Sequence, residues 1–168
     1  MKKIGCILAA GLLIALGVWL YHRLFPSDER QLRALLAAVA KTASFKPNEN
    51  PLVQLAAAGK LAGFFSDDAA IHIDVPGLDG RTIQGRAELE QIIAAARASV
   101  QSVEIRFPDA QLEIDAGRQG ASGHLAVVAD INGEKDAAVQ ELKLSFRKID
   151  GQWKIAQIDT VRTLRMTR

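Results

Sequence analysis

The spacing of apolar residues changes along the chain from a helical period to a strand period, and this change constrains the fold most strongly. After Ser27, an N-cap candidate, apolar residues recur every three or four positions, and the same spacing returns after Asn50-Pro51. The spacing predicts three helices, over 28–42, 51–63 and 86–99. The apolar residues on their stripes are Leu32, Leu35, Leu36, Val39, Leu52, Leu55, Leu61, Leu89, Ile92, Ile93 and Ala96.

Alternating apolar and polar residues predict strands in the rest of the chain. The first alternation covers residues 69–75, between the second and third helices. Every segment after the third helix has a strand pattern, and residues 122–131 are apolar in part on both faces, as expected of a central strand. Asn132-Gly133 and Asp150-Gly151 are hairpin signals, and we expect Trp153, beside the second turn, to face inward. This order predicts an α+β fold in which a curved antiparallel sheet packs on three helices and buries their apolar stripes.

An uninterrupted apolar stretch, Ile4 to Leu20, precedes these elements. As a helix it would span roughly 25 Å, close to the ~30 Å hydrocarbon core of a bilayer. Bulky residues, among them Trp19 and Tyr21, stand where a cleaved signal peptide would have small ones. Cys6 lies at the start of the stretch, whereas a lipoprotein signal would place its cysteine at the end. We therefore expect an uncleaved signal anchor that forms one transmembrane helix.

The apolar stretch divides the chain into a membrane anchor with a short linker, residues 1–26, and a domain, residues 27–168. Residues 4–21 would contact the lipid bilayer. Basic residues on the two sides of the stretch are similar in number, so the positive-inside rule does little to orient it. Because Lys2 and Lys3 give the N-terminus the character of an export signal, we expect a single-pass protein of the inner membrane. Its domain would then lie on the periplasmic or extracytoplasmic side.

Charge and cysteine content argue against several classes of function. The net charge is +2, and three of the basic residues, Lys2, Lys3 and Arg23, precede the domain, which is left nearly neutral. Nucleic-acid binding needs a basic footprint, so no nucleic acid is expected. The single cysteine and the three scattered histidines offer no zinc-ligand spacing. We therefore expect neither a metal nor a cofactor.

Three motifs resemble the nuclear transport factor 2-like superfamily, which includes the SnoaL-like proteins and the ketosteroid isomerases. They are Phe64-Phe65-Ser66-Asp67-Asp68-Ala69, then Gly80-Arg81-x-Ile83-x-Gly85-Arg86-Ala87-Glu88-Leu89, and finally Phe146-Arg147-Lys148-x-Asp150-Gly151-x-Trp153-Lys154-Ile155. The resemblance covers roughly residues 27–161. It implies a cone-shaped fold with a pocket between sheet and helices, and it implies no particular reaction, since this fold carries enzymes, transport factors and assembly modules.

The residues that ketosteroid-isomerase-like members use for catalysis are not matched. Their carboxylate base would fall on Ile73, one residue before Asp74, and a shift of one residue in a strand reverses the face. Their second acid, an oxyanion donor, would fall on Leu144, and the first helix contains no tyrosine. Because proton abstraction beside a carbonyl needs a base and an oxyanion stabiliser together, isomerase chemistry is not expected.

His72 and Asp74 are the remaining catalytic candidates. They share one face of a strand at i and i+2, which suits an acid/base pair at the pocket mouth. The simpler interpretation makes them the solvent-facing half of a strand whose other half is core. By the same reasoning Asp67-Asp68 forms a solvated corner between helix and strand, and the C-terminal arginines, from Arg162 onward, form a solvated edge or a contact with anionic lipid.

Two functions from different classes follow from this sequence. The first is a membrane-anchored, non-catalytic binding or assembly module, whose architecture resembles the inner-membrane assembly component of type IV secretion systems. It leaves open whether the partner is a second copy of the chain or another envelope protein. The second is a SnoaL-like small-molecule enzyme that uses His72 and Asp74. A polar, open pocket would favour the enzyme, and an interior filled by side chains would favour the binding module.

Overall fold

The computed structural model describes residues 27–73, 80–133 and 138–161. Three helices, α1 (Asp28–Ala43), α2 (Pro51–Ala62) and α3 (Arg86–Ser99), lie where the spacing predicts them. The side chains of Ser27 and Asn50 cap α1 and α2 by accepting hydrogen bonds from backbone N–H groups, at 3.4 and 2.8 Å. Local capping chemistry therefore sets where these two helices begin.

Seven strands of the described residues form one curved sheet. They are β1 (Phe65–Ile73), β2 (Arg81–Gln84), β3 (Val103–Arg106), β4 (Ala110–Ile114), β5 (Gly120–Ile131), β6 (Ala138–Ile149) and β7 (Gln152–Thr160). The order is β2-β1-β7-β6-β5-β3, and β4 also pairs with β5. The turns at 132–133 and 150–151 have positive φ at both residues, the conformation that tight hairpins require. The hairpin predicted at Asp150-Gly151 is confirmed, since Ile149 and Gln152 pair directly across the turn. β5 and β6 also pair as a hairpin, but their connection continues beyond Asn132-Gly133 through residues outside the described ranges.

The prediction of a purely antiparallel sheet is wrong, because β1 pairs with β7 in parallel. The long connection between the two strands, which contains α3 and five further strands, allows this direction. Alternation of apolar residues reports which face is buried and carries no information about the direction of a neighbouring strand. The sheet is therefore mixed.

Asp67 and Asp68 are exposed, as predicted, but they lie inside β1 and not at a corner before the strand. The pairing of β1 with β7 shifts register between Phe65 and Ala70. This irregularity leaves both aspartates exposed in mid-strand, where Asp67 pairs with Arg86 at 2.9 Å and Asp68 with Arg147 at 3.1 Å. Ion pairs with α3 and β6 therefore accompany the bulged segment.

The helices form two layers on the sheet. α1 and α3 contact the strands, and α2 packs against α1 and α3. Trp153 is only 5 % exposed and belongs to the core, which confirms its predicted orientation. The buried core cluster consists of Leu32, Leu36, Phe65, Ala69, Ile71, Ile83, Leu89, Ala121, Leu125, Leu144, Phe146, Trp153 and Ile155.

Within the described ranges, no helix has the length and apolar character needed to cross a bilayer. The apolar stretch from Ile4 to Leu20 lies outside these ranges, as do Asp74 and the arginines from Arg162 onward. Predictions about those segments stay predictions.

Candidate functional site

The space between the sheet and the helices is filled by side chains over much of its extent. Leu144, at the position where the ketosteroid-isomerase-like pattern has an acid, is 3 % exposed and packs in the core. Phe146, Trp153 and Ile155 occupy the same interior. The core is therefore apolar at this position, and no carboxylate from β6 enters it.

An apolar cavity of about 280 Å³ remains at one end of this interior. It lies between the C-terminal ends of α1 and α3, the helix α2 and the edge strand β3. Its lining is Ala43, Phe45, Leu61, Ile93, Ala96, Arg97, Ser99, Val100, Val103, Ile105 and Ile131. We call this the apolar cavity. Among these lining residues there is no aspartate, glutamate, histidine, lysine, tyrosine or cysteine, so the cavity offers apolar contact without a general acid or base.

Arg97 is the charged residue of the cavity wall. Both terminal nitrogens of its guanidinium are engaged, whereas its buried Nε has no hydrogen-bond partner among the described residues. Its Nη1 donates to the carbonyl oxygens of Thr42 and Ala43, at 3.1 and 3.4 Å, and its Nη2 donates to Glu49 Oε2 at 2.7 Å. The guanidinium carbon lies 4.3 Å from the ring centre of Phe45. The cation thus binds the carbonyl end of α1, where the helix dipole favours positive charge. Arg97 holds the cavity wall together.

A second, more polar cavity of about 380 Å³ adjoins the first and shares Phe45 and Val103 with it. The backbones of these two residues bond to each other in both directions, at 2.8 and 3.1 Å. The segment after α1 is therefore pinned to β3. Lys46, Glu104 and Asp130 are the charged groups of the second cavity, and Asp130 also pairs with Arg106.

His72 lies on the outer face of the sheet, because its neighbour Ile71 is buried in the core. Its side chain is 45 % exposed. The ring Nδ1 lies 3.1 Å from Thr82 Oγ1, and Nε2 lies 4.0 Å from Asp159 Oδ1. The structure thus brings Asp159 of β7 beside His72, whereas Asp74 lies outside the described residues. Neither of the two cavities described above is lined by His72.

A cluster of charged groups around the buried Asp28 joins the start of α1 to β6 and β7. The Asp28 carboxylate accepts hydrogen bonds from Lys148 Nζ at 2.6 Å, Arg118 Nε at 2.7 Å and Trp153 Nε1 at 3.3 Å. The Lys148 hydrogen bond is the main cause that lowers the pKa of the Asp28 carboxyl below its usual value; Arg118 and Trp153 add to this effect, and burial opposes it. Three satisfied donors around one buried carboxylate are typical of a structural network.

The resemblance implied a pocket between the sheet and the helices, but sequence reasoning identified neither the residues that line the apolar cavity nor the charged contacts of Arg97 and Asp28. Ile93 and Ala96 were predicted as apolar stripe residues of the third helix. Ile93 packs against the core, as predicted, and both residues also line the apolar cavity. Asp28 fits the preference for acids in the first turn of a helix. Nothing local in the sequence indicates its partners, Lys148 on β6 and Trp153 on β7. In the described part of the chain, no group of three His, Cys, Asp or Glu residues could hold a metal ion.

No known protein family matches the chain in sequence, and no curated protein matches it either. Solved structures do match. One is a nuclear transport factor 2-like protein with a cystatin-like fold from Novosphingobium aromaticivorans, 17 % identical, covering 92 % of this chain and 90 % of that one, with a TM-score of 0.59. A proposed scytalone dehydratase from the same organism is 14 % identical, covers 84 % and 89 %, and has a TM-score of 0.58.

A third similar structure is the yeast Ubp3-associated protein Bre5, which is 10 % identical and has a TM-score of 0.61. The match covers 83 % of this chain and the whole of that one. At such identities the likeness shows the fold alone. The chain has a nuclear transport factor 2-like fold, and the structures that share it carry names of different functional classes.

Proposed function

We propose that this protein is a membrane-anchored, non-catalytic binding module. The apolar cavity is the observation that supports this proposal most directly. Its walls come from α1, α2, α3 and β3, and they hold no side chain that can transfer a proton near neutral pH. Such a cavity holds an apolar group without transforming it.

The size of the cavity indicates what it holds. Pockets for drug-sized ligands measure roughly 300–1,000 Å³, and the apolar cavity, at about 280 Å³, is smaller. It suits a single apolar side chain of a partner protein or a small aromatic molecule. A group that buries about 200 Å² of apolar surface gains roughly 5 kcal/mol before the costs of association. A single group therefore binds weakly, and a partner protein would add contacts outside the cavity.

The anchor belongs to the same proposal. Residues 4–21 would cross the inner membrane and residues 27–168 would lie on its extracytoplasmic side. The partner would be an envelope protein or a second copy of the chain. Bre5, whose name describes it as associated with another protein, shows that this fold occurs in a protein named for a partner.

The second candidate is a SnoaL-like enzyme. The observation that favours it is the 4.0 Å distance between His72 Nε2 and Asp159 Oδ1. A structural neighbour described as a dehydratase has the same fold. Against this candidate, His72 faces outward, is nearly half exposed and lines neither cavity described here. An acid/base group on an open face lacks the water-poor surroundings that make proton transfer efficient.

Binding to the apolar cavity can be tested with 2-naphthol as a small aromatic probe. The full chain would be reconstituted in lipid nanodiscs, and the isoleucine methyl signals would be followed by NMR. We expect saturable shifts at Ile93, Ile105 and Ile131, and none at Ile114, which is not among the cavity residues.

Two alanines of α3 provide a matched pair of variants. Ala96 lines the cavity, and Ala98 is an exposed residue that does not. Ala96→Phe should abolish the saturable shifts, because the phenylalanine ring would occupy the mouth of the apolar cavity. Ala98→Phe should leave the shifts unchanged. Shifts that never saturate, or that persist equally in both variants, would show that the probe does not occupy the cavity and would refute the binding site.

A further inference from the structure

Two residues, Phe45 and Val103, line both cavities. The apolar cavity, of about 280 Å³, lies on one side of them, and the second cavity, of about 380 Å³, lies on the other. Side chains that two adjoining cavities share form the partition between them. Phe45 has the larger of these two side chains, and the residue is only 7 % exposed. The partition therefore consists mainly of the ring of Phe45.

The backbone that carries this partition is fixed. Phe45 N donates to the carbonyl oxygen of Val103 at 2.8 Å, and Val103 N donates to the carbonyl oxygen of Phe45 at 3.1 Å. The hydroxyl of the preceding residue, Ser44, donates to the Ala40 carbonyl oxygen at 2.8 Å and accepts from Ile105 N at 2.9 Å. The segment after α1 therefore cannot move away from β3 without losing the three hydrogen bonds that join it to this strand.

The ring of Phe45 is held in place as well. The guanidinium carbon of Arg97 lies 4.3 Å from the ring centre, in a cation–π contact. Both residues are buried, so water does little to weaken this contact. The guanidinium is itself held by the carbonyl oxygens of Thr42 and Ala43 and by the carboxylate of Glu49. The partition is therefore preorganised, and a ligand that needs the space of the ring must break these contacts to obtain it.

Removal of the partition would change what the site can hold. Pockets for drug-sized ligands measure roughly 300–1,000 Å³, and the apolar cavity alone lies just below this range. Joined to the second cavity, it would lie well within the range. The joined space would also be amphipathic, because Lys46, Glu104 and Asp130 line the second cavity and no acid lines the first.

We propose that Phe45 limits the size of the group that binds in the apolar cavity. With its ring in place, the cavity accepts one small apolar group and rejects the same group extended by a further ring. Specificity of this kind comes from an obstacle to the wrong ligand and not from a stronger contact with the right one. This proposal rests on the proposed function, since it concerns the same cavity, and it adds the residue that selects the ligand.

Two probes of matched chemistry test the size limit on the wild type. They are 2-naphthol and 6-phenyl-2-naphthol, which differ by one phenyl ring. The full chain is studied in lipid nanodiscs by NMR of the isoleucine methyl groups, and affinities are referred to the free probe concentration in the buffer. At Ile93, which lines the apolar cavity only, we expect the larger probe to bind roughly tenfold more weakly. Equal affinities of the two probes at Ile93 would overturn the proposal.

Variants of Phe45 test the partition itself. Phe45→Ala should bind 6-phenyl-2-naphthol roughly tenfold more tightly than the wild type does. The bound probe should then shift the signals of both Ile93 and Gly133, since Gly133 lines only the second cavity. Phe45→Leu removes less of the side chain, so its gain should be smaller, and it takes the place of the alanine variant if that variant does not fold.

The matched control is Phe107→Ala, because Phe107 also packs against the core but lines neither of these two cavities. Its preference between the probes should equal that of the wild type. An equal gain for the larger probe in Phe107→Ala would show that general loosening admits this probe, and it would refute the partition.

The outcomes separate this proposal from the proposed function. If 2-naphthol gives saturable shifts and the folded Phe45 variants keep the wild-type preference, the size limit is refuted and the binding site stands. If 2-naphthol does not bind the wild type, the binding site is refuted, and this proposal falls with it.

Discussion

The carboxylate of Asp28 accepts a hydrogen bond from the indole nitrogen of Trp153 across 3.3 Å, although 125 positions separate the two residues in sequence. Asp28 opens α1, and Trp153 lies in the last strand. Their contact closes the described fold by joining its first helix to its final hairpin. Both residues are almost fully buried.

Truncation of Trp153 should therefore destabilise the protein strongly. Trp153→Ala removes a large buried side chain and leaves a cavity, and we expect a loss of about 3–5 kcal/mol in the free energy of unfolding. Trp153→Phe keeps much of the packing and loses the hydrogen bond to Asp28, so its cost should be clearly smaller. Chemical denaturation of both variants measures this difference, and equal losses would show that the Asp28 contact, not packing, dominates.

Asp28 should make stability depend on pH in the acid range. Its pKa is lowered in the folded protein, chiefly by the hydrogen bond from Lys148. A lowered folded pKa means that the stabilisation is fully present above the unfolded value of 3.8 and is lost as the pH falls through the folded value. At pH 7, Asp28→Asn should cost about 3 kcal/mol, because it leaves Lys148 without its buried partner.

The pH series supplies the control for this prediction. The difference in melting temperature between the wild type and Asp28→Asn should shrink steadily below about pH 4. A difference that stays constant from pH 7 to pH 3 would contradict the assignment of the charge to Asp28.

Arg97 should stabilise the wall of the apolar cavity. Arg97→Met removes the donors to Thr42, Ala43 and Glu49, and we expect a loss of about 3 kcal/mol, since one partner of a buried ion pair is deleted. Arg97→Lys should recover only a part of the lost stability, because an ammonium lacks the planar arrangement of donors with which a guanidinium bonds several acceptors at once. The melting temperatures of these two variants and of Glu49→Gln check this prediction. If Arg97→Lys restores the full wild-type stability, the planar geometry of the guanidinium is not what matters.

Local signals in the sequence predicted much of this fold. The features that were not predicted depend on contacts between residues far apart in the chain. Ser27 and Asn50 mark helix starts through contacts within a few residues, and the turn at Asp150-Gly151 depends on its own backbone conformation. The parallel pairing of β1 with β7 depends on residues far apart in sequence, and so does the clamp from Arg97 to Thr42, 55 positions away. No periodicity encodes such contacts.

The candidate site was harder to predict for the same reason. A stripe position such as Ile93 has the same sequence pattern whether it fills a core or lines a cavity. The difference depends on how closely α2 and β3 approach α3, which is a property of the whole packing arrangement. His72 was singled out by residue type, whereas its neighbour Asp159 became visible only when β1 and β7 were seen side by side.

The anchor prediction can be checked on the purified chain. Bulky residues from Trp19 to Arg23 stand where a signal peptidase would need small ones, so we expect the segment to remain attached. Intact-mass measurement of protein extracted from membranes should give the mass of the uncleaved chain. A mature chain that starts after Leu20 would refute the anchor.

Complementation of a deletion strain tests the central claim, binding without catalysis, most directly. The variants are Ala96→Phe with its control Ala98→Phe, and His72→Ala with Asp74→Asn, each first shown to keep the wild-type melting temperature and membrane level. The account predicts that Ala96→Phe fails to complement, while the other three variants complement fully. If His72→Ala and Asp74→Asn fold normally and fail, while Ala96→Phe complements, the binding-module account is contradicted and the enzyme takes its place.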